Sequence, residues 1–123
     1  MSVSRHFVLA AGGTGGHMVP AHAVAEELMQ RGHHVALVTD ERGAKIPGLF
    51  NDVAVHVLPA GRMQGGPMGW IRGLRAIREG REMARRMYGT FRPSVVCGFG
   101  GYPALPALLA ALKEDIPTAV HEQ

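Results

Sequence analysis

The sequence predicts an α/β domain: an open parallel sheet with helices on both faces. Three observations predict it. Short, nearly continuous apolar runs (HFVLAA at 6–11, HVALVT at 34–39, SVVCGF at 94–99) read as strands buried on both sides. Segments of helical period separate them. Two of the runs pass straight into glycine-rich turns that open a helix, the signature of strand–helix–strand units.

In chain order, HFVLAA is the first strand, and GGTGGHMVPA follows as a turn. Val19 to Arg31 carries Ala21, Val24, Ala25, Leu28 and Met29 at helical spacing, and Gly32 is its stop. HVALVT is the second strand. Residues 40–52 are polar and glycine-punctuated, a loop with room for one helical turn. VAVHVL (53–58) alternates and reads as a third, more exposed strand. PAGRMQGGPMG (59–69) is a loop, Trp70 to Tyr88 a long helix, and SVVCGF a strand entering GGYP. Pro103 to Leu112 is an alanine- and leucine-rich helix, and IPTAVH (116–121) the last strand. The last strand has no covering helix after it, so the 123 residues read as one domain of a larger architecture.

Composition narrows the class. Hydrophobic residues make up 46% and charged residues 19%, which excludes intrinsic disorder as the main state. A single cysteine forms no internal disulfide, and with no secretory signal this points to a reducing, cytoplasmic setting. No run of about 18 apolar residues is present to span a bilayer. The net charge of +3 is unevenly placed: residues 60–92 hold eight arginines against two glutamates, while the remainder is mildly acidic. Such a segment seeks phosphates, an anionic membrane or nucleic acid, or is simply a solvated helix face. Nucleic acid is the least favoured partner, because aromatics are 6% and no recognition motif appears.

Gly12-Gly13-Thr14-Gly15-Gly16-His17 is the first candidate site. Glycines between strand and helix let a ligand approach the backbone, and the helix aims free N–H groups at an anion. The spacing matches neither a dinucleotide fingerprint nor a P-loop. His17, where the loop enters its helix, is placed to take a proton from a substrate hydroxyl. The positive helix end would favour its neutral form. His22, His33, His34 and His56 read as surface residues, and Cys97 as a buried, inert thiol. Gly98-Phe99-Gly100-Gly101-Tyr102-Pro103 repeats the arrangement on a later strand. In a parallel sheet both loops lie on the carboxyl edge, where such sheets bind ligands, and two of them suit a diphosphate. Glu122, ending the last strand on that edge, reads either as a carboxylate that orients a hydroxyl or a histidine, or as part of a helix N-cap region. No His, Cys, Asp or Glu spacing marks a metal site.

On the long helix, Trp70, Leu74, Ala76, Ile77, Met83, Ala84, Met87 and Tyr88 form an arc expected to face mostly inward. Arg72, Arg75, Arg78, Arg85 and Arg86 lie opposite. Ile71 falls among the arginines beside Met68 and Trp70. Such an apolar tip flanked by cations is what an interfacial membrane contact requires.

GGTGGHMVPAHAVAEEL, GFGGYPALPALLAAL and IPTAVHEQ together resemble the amino-terminal half of the MurG family. These are the bacterial UDP-N-acetylglucosamine–N-acetylmuramyl-(pentapeptide) pyrophosphoryl-undecaprenol N-acetylglucosaminyltransferases. The resemblance runs over essentially all 123 residues. It implies a Rossmann-like three-layer sandwich, the acceptor-binding half of a GT-B enzyme whose donor-binding carboxyl-terminal domain lies outside this chain. The implied reaction moves GlcNAc from UDP-GlcNAc to lipid I with inversion, giving lipid II for peptidoglycan, and hence for cell-wall growth, cell shape and division. It needs no metal or other cofactor. Carried over, Gly13, Thr14, Gly15, Gly16, Gly100, Gly101 and Tyr102 bind substrate, His17 is the candidate base, and Glu122 lies near the sugar. Met68, Trp70, Ile71 and Leu74, with Arg72, Arg75 and Arg78, correspond to a contact with the cytoplasmic face of the inner membrane. Implied partners are UDP-GlcNAc, lipid I and anionic lipid, with no nucleic acid, and the chain alone is expected to be inactive. Two alternatives stay open: the acceptor subunit of a two-chain glycosyltransferase, or a non-enzymatic phosphate-binding module at a membrane surface.

Overall fold

The computed structural model describes residues 4–13, 15–45, 53–58 and 65–121. The elements are β1 (His6–Ala10), α1 (Gly15–Gln30), β2 (His34–Thr39), α2 (Glu41–Ala44), β3 (Ala54–Val57), α3 (Gly66–Thr90), β4 (Val95–Gly98), α4 (Ala104–Lys113) and β5 (Thr118–Val120). All strand pairs are parallel, in the order β3-β2-β1-β4-β5. The fold class is the expected one.

Strand alternation divides the core in two. Leu9, Ala11 and Leu37 face α1 and pack on Met18, Ala21 and Ala25. Val8, Ala10, Ala36, Val38 and Val96 face the other way, onto Ala84 and Tyr88 of α3 and Ala107, Ala110 and Ala111 of α4. The outer strands are accessible, as alternation predicted for β3: Val55 and Val57 are exposed, and Val120 of β5 is 70% exposed.

All strands but β2 are shorter by one to three residues than expected, β5 most of all at Thr118–Val120, and two helices start four residues early. The first helix starts at Gly15, ahead of Val19, so Gly15, Gly16 and His17 form its first turn and Pro20 is accommodated inside it. The long helix starts at Gly66, within the segment read as loop. Pro67 occupies its first turn, where a missing N–H costs nothing and a fixed φ is suitable. At the far end of α1, Gly32 adopts φ +84°, and the N–H groups of Gly32 and His33 donate to Met29 and Leu28. That is a Schellman stop, as its position in the sequence predicted.

The arc expected to face inward on α3 needs correction. Trp70, Leu74 and Met83 are exposed at 54%, 57% and 40%. The buried residues are Gly73, Gly80, Ala84 and Tyr88. Two glycines hold the inward stripe, so the helix comes close to its neighbours and the large apolar residues beside the stripe turn outward.

Candidate functional site

Strand order reverses about β1. The chain moves outward from β1 through β2 to β3, then α3 returns it to β4 on the opposite side of β1. The carboxyl ends of β1 and β4 are therefore the switch point, the place where open parallel sheets bind ligands. Both glycine-rich segments lie there.

They touch. The Gly12 N–H donates to the Gly100 carbonyl at 2.8 Å, and the Phe99 N–H donates to the Ala10 carbonyl at 2.8 Å. Gly100 and Gly101 have φ of +105° and +86°, and a Cβ on Gly101 would lie 2.5 Å from Gly12 Cα. Only glycine allows this approach. His17, half-buried in the first turn of α1, packs its ring on the same pair. A Cβ on Gly100 would meet His17 Nε2 at 2.9 Å, and one on Gly101 would meet Nδ1 at 3.3 Å. The sequence placed His17 and the second glycine loop on one edge; the fold puts them in contact.

Gly15 and Gly16 belong to the first helical turn, whose N–H groups have no partner within the helix. Gly16 and Tyr102 are exposed at the carboxyl edge of the sheet. Thr14 and Glu122 lie outside the described residues. The chain preceding Glu122 is fixed at this edge, since the His121 N–H donates to the Gly98 carbonyl at 2.9 Å and its ring lies 5.5 Å from that of Phe99.

Asp40 is a member of the site that sequence reasoning missed. Its Oδ2 accepts the Gly13 N–H at 3.3 Å, and its Oδ1 accepts the Gly43 N–H at 2.9 Å, capping α2. It thereby ties the loop after β1 to the loop after β2. The available signal was an acidic residue directly after a strand and three residues before a glycine. Cys97 is half-buried, and burial pushes its thiol pKa up, which fits an unreactive group. Among the other histidines, His34 is exposed while His22, His33 and His56 are half-buried, so the surface assignment holds fully for His34 alone.

The α3 residues form a separate surface. Met68, Trp70, Ile71 and Leu74 are each at least half exposed, and Arg72, Arg75 and Arg78 are exposed. Ile71, Leu74, Arg75 and Arg78 line a shallow groove of about 240 Å³. Because α3 descends from the carboxyl edge to the amino end of β4, its first turns lie on the same edge as the glycine loops. No described helix is long and apolar enough to cross a membrane. Among the described residues, no group of three or more His, Cys, Asp or Glu converges as a metal site.

The fold is an open parallel sheet with paired glycine loops at its switch point, and residues 7–123 match the model of the glycosyltransferase family 28 N-terminal domain. The chain belongs to that family. It is 64% identical to the UDP-N-acetylglucosamine–N-acetylmuramyl-(pentapeptide) pyrophosphoryl-undecaprenol N-acetylglucosamine transferase of Erythrobacter litoralis, over 98% of this chain and 30% of the relative. It is 66% identical to the same-named protein of Novosphingobium aromaticivorans, over 99% of this chain and 31% of the relative. The crystal structure of Acinetobacter baumannii MurG superimposes with a TM-score of 0.78 at 32% identity, covering 96% of this chain and 35% of that one. A kitacinnamycin glycosyltransferase shares the fold, with a TM-score of 0.73 at 20% identity. The chain thus spans about a third of the length of these relatives.

Proposed function

We propose that this chain belongs to the acceptor-binding domain of a GlcNAc transferase that converts lipid I to lipid II at the cytoplasmic face of the bacterial inner membrane. The observation that carries the reading is the contact between the two glycine loops beneath the His17 ring. It sets the first turn of α1, with its N–H groups, and the His17 imidazole together at the switch point, which is what binding a diphosphate and deprotonating a sugar hydroxyl require. Family membership and the names of the relatives supply the sugar and the lipid.

In this reading the loop donors and the first turn of α1 hold the diphosphate of the acceptor. His17 accepts the proton of the attacking hydroxyl as the bond to the anomeric carbon forms and UDP departs. Tyr102, with Gly100 and Gly101, lines the diphosphate site, and Glu122 lies near the sugar. Met68, Trp70, Ile71 and Leu74 enter the lipid interface, and Arg72, Arg75 and Arg78 meet anionic headgroups, presenting the carboxyl edge to a membrane-bound acceptor.

The test uses the enzyme that carries this chain as its amino-terminal part, assayed with UDP-GlcNAc and a lipid I analogue, with the isolated chain as the inactive control. His17→Ala is expected to lower kcat at least ~100-fold with the fold intact. A loss under about tenfold would remove His17 from the role of base.

A further inference from the structure

We propose that Arg42 is the cation of the diphosphate subsite, parked on Asp40 beside the first glycine loop until an anionic ligand displaces it. The proposal rests on the acceptor-site reading above and adds to it a residue from outside the arginine-rich segment.

The glycine loops offer backbone dipoles and no charge. Two of those donors are already taken, the Gly12 N–H by the Gly100 carbonyl and the Gly13 N–H by the Asp40 carboxylate. A fixed negative charge therefore sits against the place where a diphosphate would bind, and repulsion must be offset by a nearby cation. Arg42 meets that need. Its stem lies against the loop: a Cβ on Gly13 would fall 2.6 Å from Arg42 Cβ. Its guanidinium lies 3.9 Å from Asp40 Oδ2, the same oxygen that accepts the Gly13 N–H.

The pair is too loose to serve as a structural tie. At 3.9 Å with the arginine side chain 54% exposed, it adds little to folding stability. The backbone beneath is nevertheless fixed, because Asp40 caps α2 through the Gly43 N–H and Arg42 is the second residue of that turn. An anchored stem with a lightly held, solvent-facing head suits a side chain that turns to a ligand. The planar guanidinium can then donate two parallel hydrogen bonds to phosphate oxygens.

The shared chemistry is a diphosphate, and it has two sources: a lipid-linked acceptor or a nucleotide sugar. We assign Arg42 to the first, and the experiment separates them. The 123-residue chain is titrated calorimetrically with geranyl diphosphate and, separately, with UDP-GlcNAc, at two ionic strengths. Arg42→Gln is expected to weaken geranyl diphosphate binding about tenfold and to flatten its salt dependence. Arg42→Lys, which keeps the charge and loses the fork, should retain part of the affinity. Arg31→Gln, at the opposite end of α1, should bind as wild type, and all variants should keep the wild-type melting midpoint. Equal binding by wild type and Arg42→Gln overturns the proposal and leaves the acceptor site standing. A loss confined to UDP-GlcNAc also overturns it. Absence of geranyl diphosphate binding by the wild type overturns the acceptor-site reading and this proposal with it.

Discussion

Gly32 and Gly101 share a left-handed backbone, with φ of +84° and +86°, and differ in what surrounds them. A Cβ on Gly32 would point into open space, so Gly32→Ala should cost only the conformational penalty of about 1–2 kcal/mol. A Cβ on Gly101 would meet Gly12 Cα at 2.5 Å and Gly12 N at 2.8 Å, backbone that cannot give way without separating β1 from β4. Gly101→Ala should therefore cost at least about 3 kcal/mol. Urea unfolding of the two variants checks this, and equal losses would mean that the loops are not locked together. His17 and both glycine loops were legible because strand, glycine run and helix follow one another in the chain. The local cap that Asp40 makes on Gly43 had a signal, but its bond to Gly13 had none, because Gly13 lies 27 residues away.

On α3, the Tyr88 hydroxyl donates to the Ala107 carbonyl of α4 at 3.0 Å in a buried setting, joining two helices that share one face of the sheet. Burial raises its pKa well above the usual phenol value. Above about pH 10 the unfolded chain loses this proton while the folded chain keeps it, so stability falls as pH rises. Tyr88→Phe should lose about 1 kcal/mol at neutral pH and show a flatter alkaline decline in denaturant titrations. A decline as steep as that of the wild type would assign it to other groups. The outer side of the same helix carries a different expectation. Combined Trp70→Ala, Ile71→Ala and Leu74→Ala should reduce co-sedimentation with vesicles containing phosphatidylglycerol at least about tenfold and leave the melting midpoint almost unchanged, since all three are exposed. Retained vesicle binding would remove the membrane role from this helix. Its periodicity showed that α3 has an apolar side. It did not show that Gly73 and Gly80 hold the buried stripe, because apolar counting gives weight to Leu74 and none to glycine.

Across the whole molecule, the parallel order and the edge that carries the site followed from the alternation of apolar runs and helical segments. The position of β1 between β2 and β4 was less visible, because it depends on which way α3 carries the chain. That position has a consequence for synthesis. β1 is made first, yet it pairs with β4 through Val8↔Val96 and Leu9↔Cys97, partners almost ninety residues later. While the chain emerges from the ribosome, β1, β2 and β3 can assemble, but one side of β1 stays open until β4 arrives. Such distant pairing slows folding and prolongs exposure of an apolar edge to chaperones. The seam that closes late is also the one where Gly12 meets Gly100 and His17 covers both. If the proposed acceptor site is correct, competence to bind its anionic ligand is acquired only when this seam closes, and a nascent chain cannot capture the ligand before then.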